Sequence, residues 1–106
     1  MNFKELAKET REIEDEIGLN IDDILNKFTQ EVGEFNDAVQ KLRGRYCRSK
    51  ISKEEVKKEI GDVLLNLISI CDRMDFNPND FPLFAERTLE KFKERKEDYK
   101  KMMRNK

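Results

Sequence analysis

The chain reads as an all-α protein: a four-helix protomer that assembles into a helical-bundle homo-oligomer. Three observations predict this. Apolar residues recur at spacings of three and four over long stretches, the rhythm of a helix face. Helix-boundary residues stand at the ends of those stretches, and no stretch alternates as a strand would. Charged residues make up 42% of the 106 positions, so the few apolar residues must be gathered into stripes to build a core at all.

The first helix is expected from Asn2 to Ile17, with Phe3, Leu6, Thr10, Ile13 and Ile17 on one face. Gly18 supplies its C-cap. The second starts after Asn20, an N-cap residue, and reaches about Arg43 before Gly44 breaks it. Its buried stripe is Ile21, Leu25, Phe28, Val32, Phe35, Val39 and Leu42. A basic loop, Arg43 to Lys50, follows. The third helix begins at Ser52, where Ser52 and Glu55 form a capping-box pattern, and runs to about Asp75. Its stripe is Val56, Ile60, Val63, Leu67, Ile70 and Met74. Asn77-Pro78 and Asp80-Phe81-Pro82 mark a turn and the next helix start. The fourth helix carries Phe84, Ala85, Leu89, Phe92, Tyr99 and Met103 to near the end, and Arg104 to Lys106 fray. Residues 1–106 form a single domain at this length.

The third helix is apolar around most of its circumference, from Ile60 through Val63, Leu64, Leu65, Leu67, Ile68, Ile70 and Cys71. Such a helix needs neighbours on every side. Three companions in a small protomer do not supply them, which predicts a homo-oligomer, dimer or tetramer, with this helix near the interface.

Charge excludes some functions. There are 22 basic and 23 acidic residues, which argues against a dedicated nucleic-acid or membrane-surface protein. Basic charge is nevertheless local: residues 41–58 hold eight Lys/Arg against two acids, and residues 85–106 hold nine against five. The charged start has no apolar signal core, and no run is long enough to span a membrane. Cys47 and Cys71 have no paired spacing, which fits a reduced, cytoplasmic setting. Histidine is absent, and with it the commonest zinc ligand and the usual general base.

Chemistry concentrates in two acidic pairs, Glu31-Val32-Gly33-Glu34 and Glu59-Ile60-Gly61-Asp62. In each, the carboxylates are three apart and share a helix face. Each pair lies one residue upstream of its apolar stripe, in a lane of Lys27, Glu31, Glu34 and Ala38 on the second helix. The matching lane on the third is Glu55, Glu59, Asp62, Asn66 and Ser69. Partly buried carboxylates are costly unless paired or metal-bound. A set of Glu and Asp without His or thiolate selects hard cations, Mg²⁺ or Mn²⁺, that share phosphate oxygens. Lys91 and Arg95, four apart, and Arg43, Arg45, Arg48 and Lys50 on the loop are candidate phosphate partners.

These residues resemble the MazG-like all-α nucleoside triphosphate pyrophosphohydrolases. The resemblance rests on the two acidic pairs separated by residues 35–58, on the Val63-Leu64-Leu65 that follows Asp62, and on Asn77-Pro78-Asn79-Asp80 and Lys91-Phe92-Lys93-Glu94-Arg95. It implies Mg²⁺-dependent cleavage of a nucleoside or deoxynucleoside triphosphate to monophosphate and pyrophosphate, in an oligomer, with a role in nucleotide housecleaning. Glu31, Glu34, Glu59 and Asp62 would then be metal ligands, one Glu also serving the attacking water. Lys91 and Arg95 would meet phosphates, and Asn66 would touch metal-bound water, phosphate or sugar. The chain departs from the family pattern at Leu89, where many members have Asn, and at Pro82 in the fourth helix. The rival reading is a non-catalytic helical module that binds nucleotide, metal or a protein partner.

Overall fold

A computed structural model describes residues 1–45 and 51–105. Cys47, Arg48 and Lys50 of the basic loop, and Lys106, lie outside the described residues. The elements are α1 (Phe3–Ile17), α2 (Ile21–Leu42), α3 (Lys53–Arg73), a short 3₁₀ turn (Pro78–Asp80), α4 (Phe81–Glu94) and α5 (Lys96–Arg104). The described residues contain no strand.

Local chemistry sets the boundaries. Asn2 Oδ1 accepts from the Glu5 amide at 2.8 Å, and the Glu5 carboxylate accepts from the Asn2 amide at 3.2 Å. Asn20 and Asp23 exchange the same two bonds at the start of α2, with the shorter Asp in the usual Glu position. Gly18 closes α1 at φ 88°, and the amides of Gly18 and Leu19 both donate to the Glu14 carbonyl. Ser52 Oγ accepts from the Glu55 amide at 3.2 Å, one half of the expected capping box. After α3 the chain turns at Asp75, in the left-handed region at φ 64°, and the Phe76 amide donates back to the Cys71 carbonyl.

Helix α3 is the axis of the fold, with α1 and α2 packed on it. Two polar anchors fix α1. Asp72, almost fully buried, accepts from Lys4 Nζ at 2.9 Å and from Arg11 Nη1 at 2.7 Å. One turn further along α1, Glu14 accepts from Ser69 Oγ and from Arg73 Nη2, and Arg73 also reaches Asp15 at 3.1 Å. The 3₁₀ turn adds a third tie. Asn79 Oδ1 accepts from the Lys4 amide at 3.0 Å, satisfying a donor that the first turn of a helix leaves unpaired.

The inward faces are rotated by about one residue from the sequence reading. On α1, Ala7 and Glu14 are buried while Ile13 and Ile17 stay exposed. On α2, Ile24 and Ala38 are buried, and Ile21, Leu25, Val32 and Leu42 of the expected stripe are exposed. On α3, the buried residues are Asn66, Ile68, Ser69 and Asp72. The helices meet along their polar lanes, because Glu14 and Asp72 find cationic partners there. That leaves much of each apolar stripe on the outside of the protomer.

The fourth helix differs most from expectation. It breaks at Arg95, where ψ is 6°, and α5 restarts at once with the Tyr99 amide on the Arg95 carbonyl. Neither α4 nor α5 has a buried residue, so Phe84, Ala85, Leu89, Phe92, Tyr99 and Met103 are not core. Only the start of α4 is held, through Phe81, which meets the Phe3 ring edge-on at 5.8 Å. Phe92 and Tyr99 stack on each other at 5.2 Å across the break. The radius of gyration is 17.2 Å, against about 13 Å for a compact domain of this size. The α4–α5 arm therefore reaches away from the other helices.

Candidate metal and nucleotide site

Helices α2 and α3 run antiparallel, so their polar lanes face each other. Glu31 shares a cleft with Asp62, and Glu34 shares another with Glu59. One oxygen from each of Glu31, Glu34 and Glu59 lies within 4.8 Å of the others. Asp62 stands outside that trio, yet near enough for its charge to act on Glu31.

The electrostatics are unbalanced. Among the described residues none of these four carboxylates has a Lys or Arg ion-pair partner. Glu31 Oε2 and Glu59 Oε2 are buried and lack any hydrogen-bond partner. Burial pushes the Glu31 carboxyl up, and so do the charges of Asp62, Glu34 and Glu59 and its hydrogen bond with Glu34. Like charges held together at the cost of desolvation are relieved by a proton or by a bound cation. The donor set, carboxylate oxygens alone, fits a hard divalent ion.

Two clefts flank the trio. One, of about 190 Å³, lies on the α1 side between Glu14, Lys27, Glu31, Asp62 and Asn66. The other, of about 180 Å³, lies toward the basic loop between Glu34, Asp37, Lys41, Glu55 and Glu59. Asn66 lines the first, and its Nδ2 donates to the Asp62 carbonyl at 3.0 Å. Lys91 and Arg95 line neither. Both are exposed, on α4 and at its junction with α5, and the protomer does not bring them to the acids.

Sequence reasoning passed over Glu14. A charged residue beside Ile13 on an amphipathic helix carries no mark of burial. Its signal lies in the pairing with Ser69 and Arg73, which are 55 and 59 residues away.

An all-helical chain with two acid pairs converging between antiparallel helices is the class that the fold and site define. The MazG nucleotide pyrophosphohydrolase domain matches residues 19–99, and the chain belongs to that family. The match takes in both acid pairs, Asn66, Lys91 and Arg95, and leaves out α1 with Glu14. Comparison with curated proteins and with solved structures gave no match. No described helix is long and apolar enough to cross a membrane.

Proposed function

We propose that the chain hydrolyses a nucleoside or deoxynucleoside triphosphate to the monophosphate and pyrophosphate with Mg²⁺, for which Mn²⁺ substitutes. The observation that carries this is the convergence of Glu31, Glu34 and Glu59, with two buried oxygens that have no donor. Family membership supplies the reaction class. Glu31, Glu34 and Glu59 hold the ion, and Asp62 adds its carboxylate from the next turn of α3. Mg²⁺ held by these carboxylates would supply positive charge against the phosphate oxygens during cleavage between the α and β phosphates. A carboxylate of the set orients the attacking water and takes its proton. Asn66 contacts the nucleotide in the adjoining cleft.

Lys91 and Arg95 are assigned to the phosphates, which requires the α4–α5 arm to come against an acidic site. Assembly does this: the exposed apolar faces of α2, α3 and α4 are those a homo-oligomer covers.

The experiment is product analysis on a panel of NTPs and dNTPs with and without Mg²⁺. Metal-dependent release of monophosphate and pyrophosphate is expected. Glu34→Gln and Asp62→Asn should each lose activity by at least about a hundredfold, with far-UV circular dichroism unchanged. Full activity in both variants would sink the site assignment. Binding without turnover on any substrate would make the chain a nucleotide-binding module.

A further inference from the structure

Two helices, α1 and α5, present exposed faces of opposite charge. On α1 the anchors to α3 sort the charged residues. Lys4 and Arg11 turn inward onto Asp72, and Glu14 and Asp15 meet Arg73. Glu5, Glu9, Glu12 and Glu16 stay exposed, and none has a Lys or Arg ion-pair partner among the described residues. At 3.6 residues per turn these four fall in one lane about 60° wide. Ile13 and Ile17, 58% and 67% exposed, run along its edge. Helix α5 is the counterpart. It has nine residues, no side-chain cap and nothing buried. Isolated helices shorter than about 12–15 residues are marginal in water, so α5 needs packing. Within the protomer it touches only α4 among the helices, and its aromatic tie is Tyr99 on Phe92 across the break. Tyr99, Met102 and Met103 form its apolar lane, with both methionines 64% exposed. Lys96, Lys100 and Arg104 follow one edge of that lane at spacing four. Lys100 reaches Glu97 at 3.5 Å, a surface pair worth little.

We propose that α5 of one copy docks along α1 of a second copy, its cationic lane on the acidic lane and its Tyr99, Met102 and Met103 against Ile13 and Ile17. A second copy is the occupant because α1 offers both halves of the match, apolar area and opposite charge, in the same side-by-side arrangement. The protomer's own α1 does not cover α5: α4 is held at its root by the Phe3–Phe81 contact and carries α5 away from it. In a reciprocal pair each copy gives one arm and receives one, so the contact is made twice. The apolar lanes supply affinity, and the charged lanes set the register and repel a like-charged arm. The contact uses neither α2 nor α3 and is independent of what the acid pairs catalyse. All of α1 and residues 100–104 of α5 lie outside the segment that matches the family.

Carbodiimide cross-linking of full chain, unlabelled and ¹⁵N-labelled copies mixed and equilibrated, tests this, with linked peptides read by mass spectrometry. Links joining Lys96 or Lys100 of one isotope to Glu9, Glu12 or Glu16 of the other are expected. Charge reversal supplies a second readout. One variant carries Lys96→Glu, Lys100→Glu and Arg104→Glu; the other carries Glu9→Lys, Glu12→Lys and Glu16→Lys. Each alone sets like charges face to face and should self-associate at least roughly tenfold more weakly by sedimentation equilibrium. An equal mixture of the two sets opposite charges face to face again and should recover wild-type association. A helix changed only in its own stability would not be rescued by mixing. Links confined to one isotope mean that α5 folds back on its own α1 and overturn the proposal. So do the absence of any link between α1 and α5, association that reversal leaves unchanged, and a mixture no tighter than either variant. If either variant fails to fold, the wild-type links decide.

Discussion

Arg11 Nη1 donates to Asp72 Oδ2 at 2.7 Å and ties α1 to α3 across 61 residues of sequence. Lys4 holds the other oxygen, so Asp72 is a buried acid with a cation on each side. Burial alone would raise its pKa, but the hydrogen bonds and charges of Arg11 and Lys4 outweigh that and hold it below the usual 3.8. A folded-state pKa below the unfolded one gives stability that is fully present above the unfolded value. That stability is lost as pH falls through the folded value. Asp72→Asn should therefore cost about 2 kcal/mol at pH 7. The gap between variant and wild type should close at pH below 3.8. Urea melts from pH 7 to pH 2.5 check it; a gap that stays constant with pH would refute the ion-pair account.

Glu31 poses the opposite case. Its carboxylate is raised by burial and by three acidic neighbours, so the metal-free protein is strained there. Glu31→Gln removes one of the like charges and should raise the metal-free Tm by about 4 °C, the shift that about 1 kcal/mol produces in a domain of this size. The same variant should lose most of the Tm increase that Mg²⁺ gives the wild type. Differential scanning fluorimetry with EDTA and with Mg²⁺ reads both. A lower metal-free Tm with the Mg²⁺ shift retained would mean that Glu31 is a structural residue.

Much of the fold was legible in local chemistry. Asn2, Gly18, Asn20, Ser52 and Pro78 act at short range, and the helix ends lie close to where they put them. The acid pairs were legible for the same reason: spacing three on a helix fixes a shared face, and Glu31, Glu34 and Glu59 meet between α2 and α3 with Asp62 near Glu31. What sequence could not settle was the phase of each inward face. Period 3.6 tolerates a rotation of one residue, and the choice was made by distant partners, Asp72 for Arg11 and Ser69 for Glu14. The outer helices failed differently. Leu89 and Phe92 are apolar and periodic, yet both stay exposed, and Phe92 meets only the Tyr99 ring across the break among the described aromatic contacts.

The open face of α2 and α3 makes assembly testable. Phe35, Ile60, Val63, Leu64 and Leu67 line a shallow groove with no polar surface, and Leu67 also borders Phe81 and Phe84 at the root of the arm. A second copy laid there would bury it. Leu67→Lys places a charge at the join of both apolar surfaces and should shift the oligomer to monomer, weakening association by at least roughly a hundredfold. Light scattering coupled to size exclusion measures this directly. An unchanged mass would rule out the α3 face as the interface.

Each acid pair encloses a glycine, Gly33 on α2 and Gly61 on α3. Both lie mid-helix, where glycine is destabilising by roughly 0.5–1 kcal/mol relative to alanine. A Cβ built at either meets nothing within 4 Å, so neither is required by packing within the protomer. Gly61→Ala should then gain most of that propensity, raising the stability of the metal-free protein by about 0.5 kcal/mol or more. Denaturant melts resolve a change of that size. A destabilised variant with normal helix content would show that a close backbone approach, absent from the single protomer, occupies the space beside Gly61. Mass measurement on the same variant would then tell whether a second copy makes that approach.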